Sequence, residues 1–296
     1  MNLLRNIKTK AGLNNTEIIF LIYFIITSVY MLIGISSLKH TGEHFLIRIL
    51  FTLIIFLFSY YGKRIKRNTW FSLLRSIYPF FFLGYLYKET GYLNNILFDY
   101  FDPWFVKAEQ FLWGMQPSLE FSRLFPERWF SELMNFGYFF YYFLTFGTAI
   151  AIYFYNRNKT GQVVFIITTS FLIYYLFFSL FPVEGPQFYF PPEQARTVDG
   201  YLFSYLVKIA QDFGETQTGA FPSSHVGLSV VFLILSYKYA RKVFYLIIVP
   251  VILLWFATVY IKAHYLIDSL CGFPSGLLFY WISSQLYNRM NKITEQ

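Results

Sequence analysis

Apolar residues in this chain neither alternate nor recur at helical spacing; they come in long unbroken runs. Eight stretches, at about 18–38, 45–61, 70–87, 132–155, 162–182, 223–238, 243–261 and 264–286, are each about as long as a helix needs to cross a ~30 Å hydrocarbon layer. The third carries Arg75. The sixth is short and ends in Tyr237 and Lys238, whose tips can reach the interface. The first run follows the basic residues Arg5, Lys8 and Lys10 and ends without a small-residue cleavage pattern, so it reads as a helix that is kept rather than a secretory leader. The pattern predicts an all-α polytopic membrane helix bundle with about eight transmembrane helices. It divides into added N-terminal helices over 1–69, a third helix with an outer interfacial segment over 70–131, and a helix core over 132–296.

The polar intervals give the orientation, because Lys and Arg accumulate in short cytoplasmic loops. With the N-terminus inside, the inner segments hold fourteen basic residues, among them Lys63, Arg64, Lys66, Arg67, Arg157 and Arg241. The outer segments hold eight, spread over far longer stretches. Both termini are therefore predicted to be cytoplasmic. Two outer segments exceed a simple turn. Residues 88–131 mix aromatics with acids, including Asp99, Asp102, Trp104 and Trp113, which suits a helix lying in the headgroup layer. Residues 183–222 contain a second apolar stretch, Tyr201 to Ala210, of the same character.

Composition agrees with a bilayer as solvent: 56% hydrophobic, 24% aromatic and 14% charged residues, with a mean hydropathy of +0.45. The net charge of +8 comes from short clusters between spans, so it argues for membrane topology and against nucleic-acid binding. A single cysteine, Cys271, excludes an intrachain disulfide and any cysteine-rich metal site.

The candidate chemistry gathers on one face. Pro222-Ser223-Ser224-His225 reads as a helix start, with proline in the permitted first turn and serines available as caps. The free amides and positive dipole end of such a start favour a phosphate, and a histidine beside it can move a proton. His264 and Asp268, four apart, share a helix face, so the carboxylate can take the imidazole Nδ1–H and leave Nε2 free. By the predicted topology both histidines stand at the outer mouths of helices. The structural alternatives are a capped helix and a histidine satisfied by an acid.

These two motifs resemble those of the type 2 phosphatidic acid phosphatase superfamily, which pairs Pro-Ser-(Gly or Ser)-His with a later His-x-x-x-Asp across one helical hairpin. The resemblance covers about residues 130–286. It implies that His264 is the nucleophile forming a phosphohistidine, that Asp268 orients it, and that His225 protonates the leaving oxygen and then serves as base. It implies further that the backbone amides of Ser224 and His225 hold the non-bridging phosphate oxygens, with Ser223, Ser224 and Gln187 among the substrate-binding residues, and that no metal or cofactor takes part. The family's cations are missing here: Gln187 stands where an arginine is expected, and Thr258 replaces the arginine six residues before the nucleophile. Lys262 and Arg196 are the candidate replacements on substrate phosphate. The implied function is hydrolysis of a membrane lipid phosphate or diphosphate at the outer face of the cell membrane. The alternatives are headgroup transfer to a lipid alcohol, a lipid-phosphate-binding member without activity, and a transporter.

Overall fold

In the computed structural model, which describes residues 7–65 and 69–295, the chain is all helix and no strand occurs among the described residues. The basic residues Arg5, Lys66 and Arg67, counted above for orientation, lie outside the described residues. The first long helix, α1 (Asn15–Ile33), starts where its sequence says it should. Asn14 accepts a hydrogen bond from the Glu17 amide while the Glu17 carboxylate takes the Asn14 amide, a reciprocal cap that satisfies two otherwise orphaned donors. There follow α2 (Thr41–Arg64), α3 (Thr69–Leu93), α4 (Asp102–Trp113), α5 (Pro117–Leu124), α6 (Arg128–Tyr155) and α7 (Thr160–Leu180). After two single-turn helices, α8 (Pro186–Tyr189) and α9 (Pro192–Ala195), come α10 (Leu202–Gly214), α11 (Ser224–Tyr239), α12 (Arg241–Tyr260) and α13 (Leu266–Glu295).

Six of these, α1, α2, α6, α7, α12 and α13, are long and apolar enough to cross a membrane, which makes the chain a multi-pass membrane protein. The other two runs that the sequence assigned to spans form helices as well. The 25-residue α3 holds four tyrosines and carries Arg75, Lys88 and Glu89, while α11 has only 16 residues.

Charges inside the N-terminal helices are paired. Arg75 of α3 reaches Glu17 of α1 with Nε and Nη2 at 2.8 and 2.7 Å and gives a further bond to the Gly12 carbonyl. Arg48 of α2 binds Glu89 of α3 through both guanidinium ends at 2.5 and 2.9 Å, and also donates to Thr27 of α1. The planar fork of arginine matches a carboxylate, so two charges leave water with most of their donors and acceptors used. These pairs bind α1, α2 and α3 to one another.

The core is built around α11, which packs against α6, α7, α12 and α13. It is buried on all sides through Val226, Leu228, Val231, Phe232 and Leu235, as expected of a helix with no polar face. Its approach to α13 is possible only because Gly227, Gly272 and Gly276 lack side chains: a Cβ on Gly276 would lie 2.3 Å from the Gly227 carbonyl oxygen. Over this core lies an outer layer of α4, α5 and α10. In α4 the usual arrangement is inverted, with Trp104 (74%) and Phe111 (87%) exposed while Asp102 and Glu109 are buried. An aromatic face turned outward from an acidic one turned inward suits a helix resting in the headgroup region.

Candidate active site

The start of α11 and the start of α13 meet beneath this layer. Ser223 caps α11 through its side chain, which accepts the Val226 amide at 3.3 Å, and its own amide donates to the Asp268 carbonyl at 3.0 Å. That bond joins the two motifs directly. The preceding loop is held by Ala220, whose amide donates to the Val183 carbonyl, and by Gly185, whose positive φ of 93° lets the chain pass the Ala263 carbonyl.

The two histidines face each other, with Nδ1 of His225 3.1 Å from Nε2 of His264. Nδ1 of His264 lies 2.7 Å from the Ala220 carbonyl. A carbonyl only accepts, so the proton on His264 sits at Nδ1, Nε2 carries the lone pair, and His225 donates to it from Nδ1. The result is a directed relay from His225 through His264 to Ala220. Burial draws the His264 imidazole down to about 4, against smaller upward effects from the Ala220 bond and the Glu215 charge. The His264 ring is therefore neutral at physiological pH. His225 is gripped between two tyrosines, stacked on Tyr138 at 4.8 Å and tilted against Tyr141 at 4.4 Å.

Asp268 has a different task from the one its spacing suggested. The Nδ1–H that it was expected to take goes to Ala220. Its nearer oxygen lies 3.7 Å from Nδ1 and accepts the Tyr265 amide at 2.8 Å, which anchors the first turn of α13. The carboxylate thus serves the helix start by hydrogen bonding and lies close to His264 without bonding it. Its other oxygen is buried without a partner.

Lys262 is a second departure. It is 1% exposed, adopts φ 65°, and its ammonium donates to Ser122 Oγ at 2.7 Å and to the Arg196 carbonyl at 3.0 Å, away from the histidines. Burial, aided by the Arg123 charge, pulls it down to about 8. It ties α5 and the 196 loop to the catalytic turn. The Arg196 side chain points outward to Asp199 at 3.6 Å and contributes only its carbonyl to this arrangement. Gln187 stays at the site: its amide donates to the Lys262 carbonyl and its side chain donates to Glu215 at 2.6 Å. Ser224 is buried beside His225, and the amides of both residues, in the first turn of α11, take no acceptor among the described residues. Thr258 is fully buried, donates to the Trp255 carbonyl and accepts the His264 amide at its own carbonyl.

Several residues that complete the site carry no motif. Asp102 accepts the Glu184 and Gly185 amides at 2.8 and 2.9 Å and the Tyr265 hydroxyl at 3.0 Å. Burial raises its carboxyl, with the amide bonds working against the rise. Glu109 accepts the Ile267 amide at 3.1 Å and is raised to about 7 by burial, with a further contribution from the Asp268 charge. Both come from α4, seven positions apart on the face that also carries Phe105. The spacing was visible in the sequence, but the flanking aromatics directed attention to the lipid side.

Two cavities meet at His225. One, of about 580 Å³, lies between α3, α6 and α7 with largely aromatic walls and extends to Ser224, His225 and Glu215. Lys88, exposed and without an ion pair, is the only lysine or arginine in its wall among the described residues. The other is a chamber of about 20 Å³ that shares Ser224, His225 and Glu215 with the first and is lined also by Glu184, Gln187, Thr218 and His264, with no lysine or arginine among the described residues.

A family model described as the PAP2 superfamily matches residues 103–282. No curated protein and no solved structure matches the chain.

Proposed function

We propose, from the premise that this chain belongs to the PAP2 superfamily, that it cleaves a phosphorus–oxygen bond of a membrane lipid phosphate through a phosphohistidine on His264. Family membership supports phosphatase-type chemistry; the observation that carries the finer reading is the relay of Ala220, His264 and His225 at 2.7 and 3.1 Å. Nε2 of His264 attacks phosphorus with its lone pair. The bond to the leaving oxygen breaks as that oxygen takes the proton from His225 Nδ1. Water then attacks the phosphohistidine and gives its proton to His225, and the P–N bond breaks with its electron pair returning to Nε2. The free amides of Ser224 and His225, at the positive end of α11, bind the non-bridging oxygens. Asp268 steadies the positive charge that His264 acquires.

In the resting site His225 lies 3.1 Å from the nucleophile, at the ~3–3.5 Å separation that phosphorus must occupy for attack. The substrate therefore displaces the His225 nitrogen from this contact and takes its place. The topology we propose has eight spans, α3 and α11 completing the set, with both termini cytoplasmic and the histidines at the opposite face. Headgroup transfer to a lipid alcohol is the second reading, favoured by the buried Thr258 and by a chamber without cations.

The test is phosphate or diglyceride release by purified protein in detergent from a panel of lipid phosphates and phosphodiesters, with His264→Ala and His225→Ala beside the wild type. Loss of turnover in both folded variants is the expected result. Undiminished release by either one removes the phosphohistidine mechanism.

A further inference from the structure

The chamber at the histidines has the wrong charge for a phosphate alone. Glu215 accepts from Tyr138 at 2.7 Å and from Gln187 at 2.6 Å, and neither donor is a cation. Glu184 donates its backbone amide to Asp102, but its carboxylate takes no hydrogen bond and no ion pair among the described residues. Two carboxylates beside a phosphate repel it unless a positive charge stands between them. Thr218 adds an independent sign of a missing ligand: it lines the chamber, is 4% exposed, and its hydroxyl has no partner. Buried polar groups are normally satisfied, so a hydroxyl and a carboxylate left open on one small space mark a place where something polar sits.

The order of the cavities gives the direction of the substrate. Ser224, His225 and Glu215 border both spaces, so the phosphorus position lies at their junction. The larger, aromatic space runs from there between α3, α6 and α7. It suits lipid chains, and the oxygen joining them to phosphorus would leave toward His225. The small chamber receives what remains on the phosphorus. Its volume of about 20 Å³ is close to the ~10–15 Å³ that one water-sized group needs. So small a space suits a primary ammonium better than a trimethylated one or a sugar ring.

We propose that the substrate is a zwitterionic membrane phosphodiester with a primary amine in its headgroup, an aminoethyl phosphate ester, whose ammonium is held by Glu184, Glu215 and the Thr218 hydroxyl. This rests on the phosphohistidine reading above. His264 Nε2 displaces the diglyceride oxygen, which takes the His225 proton and departs as the alcohol. The aminoethyl phosphate stays on His264 until water or an acceptor alcohol attacks phosphorus, passes its proton to His225 and frees Nε2. The substrate supplies the positive charge that the chamber lacks, and Lys88 lies on the chain side of the phosphate.

The experiment measures diglyceride release by the purified full chain in mixed micelles of phosphatidylethanolamine, phosphatidylcholine, phosphatidylglycerol or phosphatidic acid. Wild type, Glu184→Gln and His264→Ala are compared, with thermal unfolding recorded for each. Phosphatidylethanolamine should be cleaved at least about tenfold faster than phosphatidylglycerol, the value of one charge-assisted contact. Phosphatidylcholine should be slower than phosphatidylethanolamine. Glu184→Gln, which breaks no hydrogen bond in the protein, should lower the ethanolamine-to-glycerol ratio by roughly the same tenfold. Glu215→Gln is the second variant and should shift the ratio the same way. Equal rates on the two diesters, or a preference that neither variant alters, overturns the proposal. Release from phosphatidic acid alone overturns it while leaving the phosphohistidine reading intact. No release from any lipid, with or without an added lipid alcohol acceptor, removes both.

Discussion

Substituting Gly185 by alanine should slow the chemical step without touching a reacting group. Gly185 holds φ 93°, and a Cβ there would lie 2.8 Å from the Ala263 carbonyl oxygen and 3.2 Å from the Ala220 Cβ. The first distance falls about 0.6 Å short of the 3.4 Å at which ordinary contact begins. Both neighbours are backbone-fixed, and both position His264, the proposed nucleophile: Ala263 precedes it, and the Ala220 carbonyl holds its Nδ1–H. Holding alanine in this backbone conformation costs on the order of 1–3 kcal/mol. Since a 1 Å misplacement of reacting groups can cost ~10²-fold, a shift of about 0.6 Å should slow phosphohistidine formation by roughly tenfold. The assay is rapid-quench single turnover on a lipid labelled at phosphorus, counting acid-labile, base-stable label on protein, with a melting curve of the same preparation. Gly147→Ala is the control, because a Cβ there meets nothing within 4 Å. A Gly185→Ala protein with wild-type melting and wild-type single-turnover rate would refute the reasoning.

Two further outcomes follow from buried ionisable groups. The folded protein holds His264 near 4 against 6.5 in the unfolded chain, so its contribution to stability is complete above about pH 6.5, falls on acidification, and levels below about pH 4 after a loss of roughly 3 kcal/mol. Glu109, raised from 4.5 to about 7, works in the opposite sense, stabilising at low pH and losing that contribution as pH rises through 7. Relative to wild type, Glu109→Gln should therefore lose more stability on acidification from pH 6.5 to 4.5 and His264→Gln should lose less; equal slopes in thermal unfolding of all three would contradict the assignments. In the N-terminal helices, Arg48→Met strands the buried Glu89 and should cost about 3–5 kcal/mol, tempered by His44 at 3.2 Å, while Arg48→Met with Glu89→Met should recover most of it. A double variant no more stable than the single one in detergent melting would show that the pair is not the source of the loss.

The sequence carried the helices and the two motifs because both depend on local features. Run length alone located the long helices, six of which are apolar enough to cross a membrane, and the Pro-Ser-Ser-His helix start and His-x-x-x-Asp spacing identified the residues that the fold brings to 3.1 Å. Partner assignments were less legible, since they depend on where loops pass. The His264 Nδ1–H goes to a carbonyl contributed by Ala220, 44 positions away, and no side-chain spacing encodes a backbone acceptor. Lys262 stands two residues from the nucleophile, yet its left-handed backbone turns the side chain toward Ser122. The carboxylates of Glu184 and Glu215 lie in segments without a motif and meet only when α10 and the 182–188 loop fold over the bundle. Arg75 weakened the third span on paper, because its partner Glu17 lies in another helix.

The inverted helix α4 sets a mechanical condition on all of this. Trp104 and Phe111 stand exposed on its outer face, suited to the headgroup layer, and from that same short rod Asp102 grips the 184–185 amides while Glu109 grips the amide of Ile267. The walls of the chamber and the first turn of α13 are thus tied to α4 as well as to the helix bundle, and with α4 in the headgroup layer they would be referenced to the plane of the bilayer. A change in bilayer thickness or lateral pressure that lifts α4 would be transmitted through rigid hydrogen bonds to the loop bearing the nucleophile. The composition of the surrounding membrane would in this sense reach the geometry of the site.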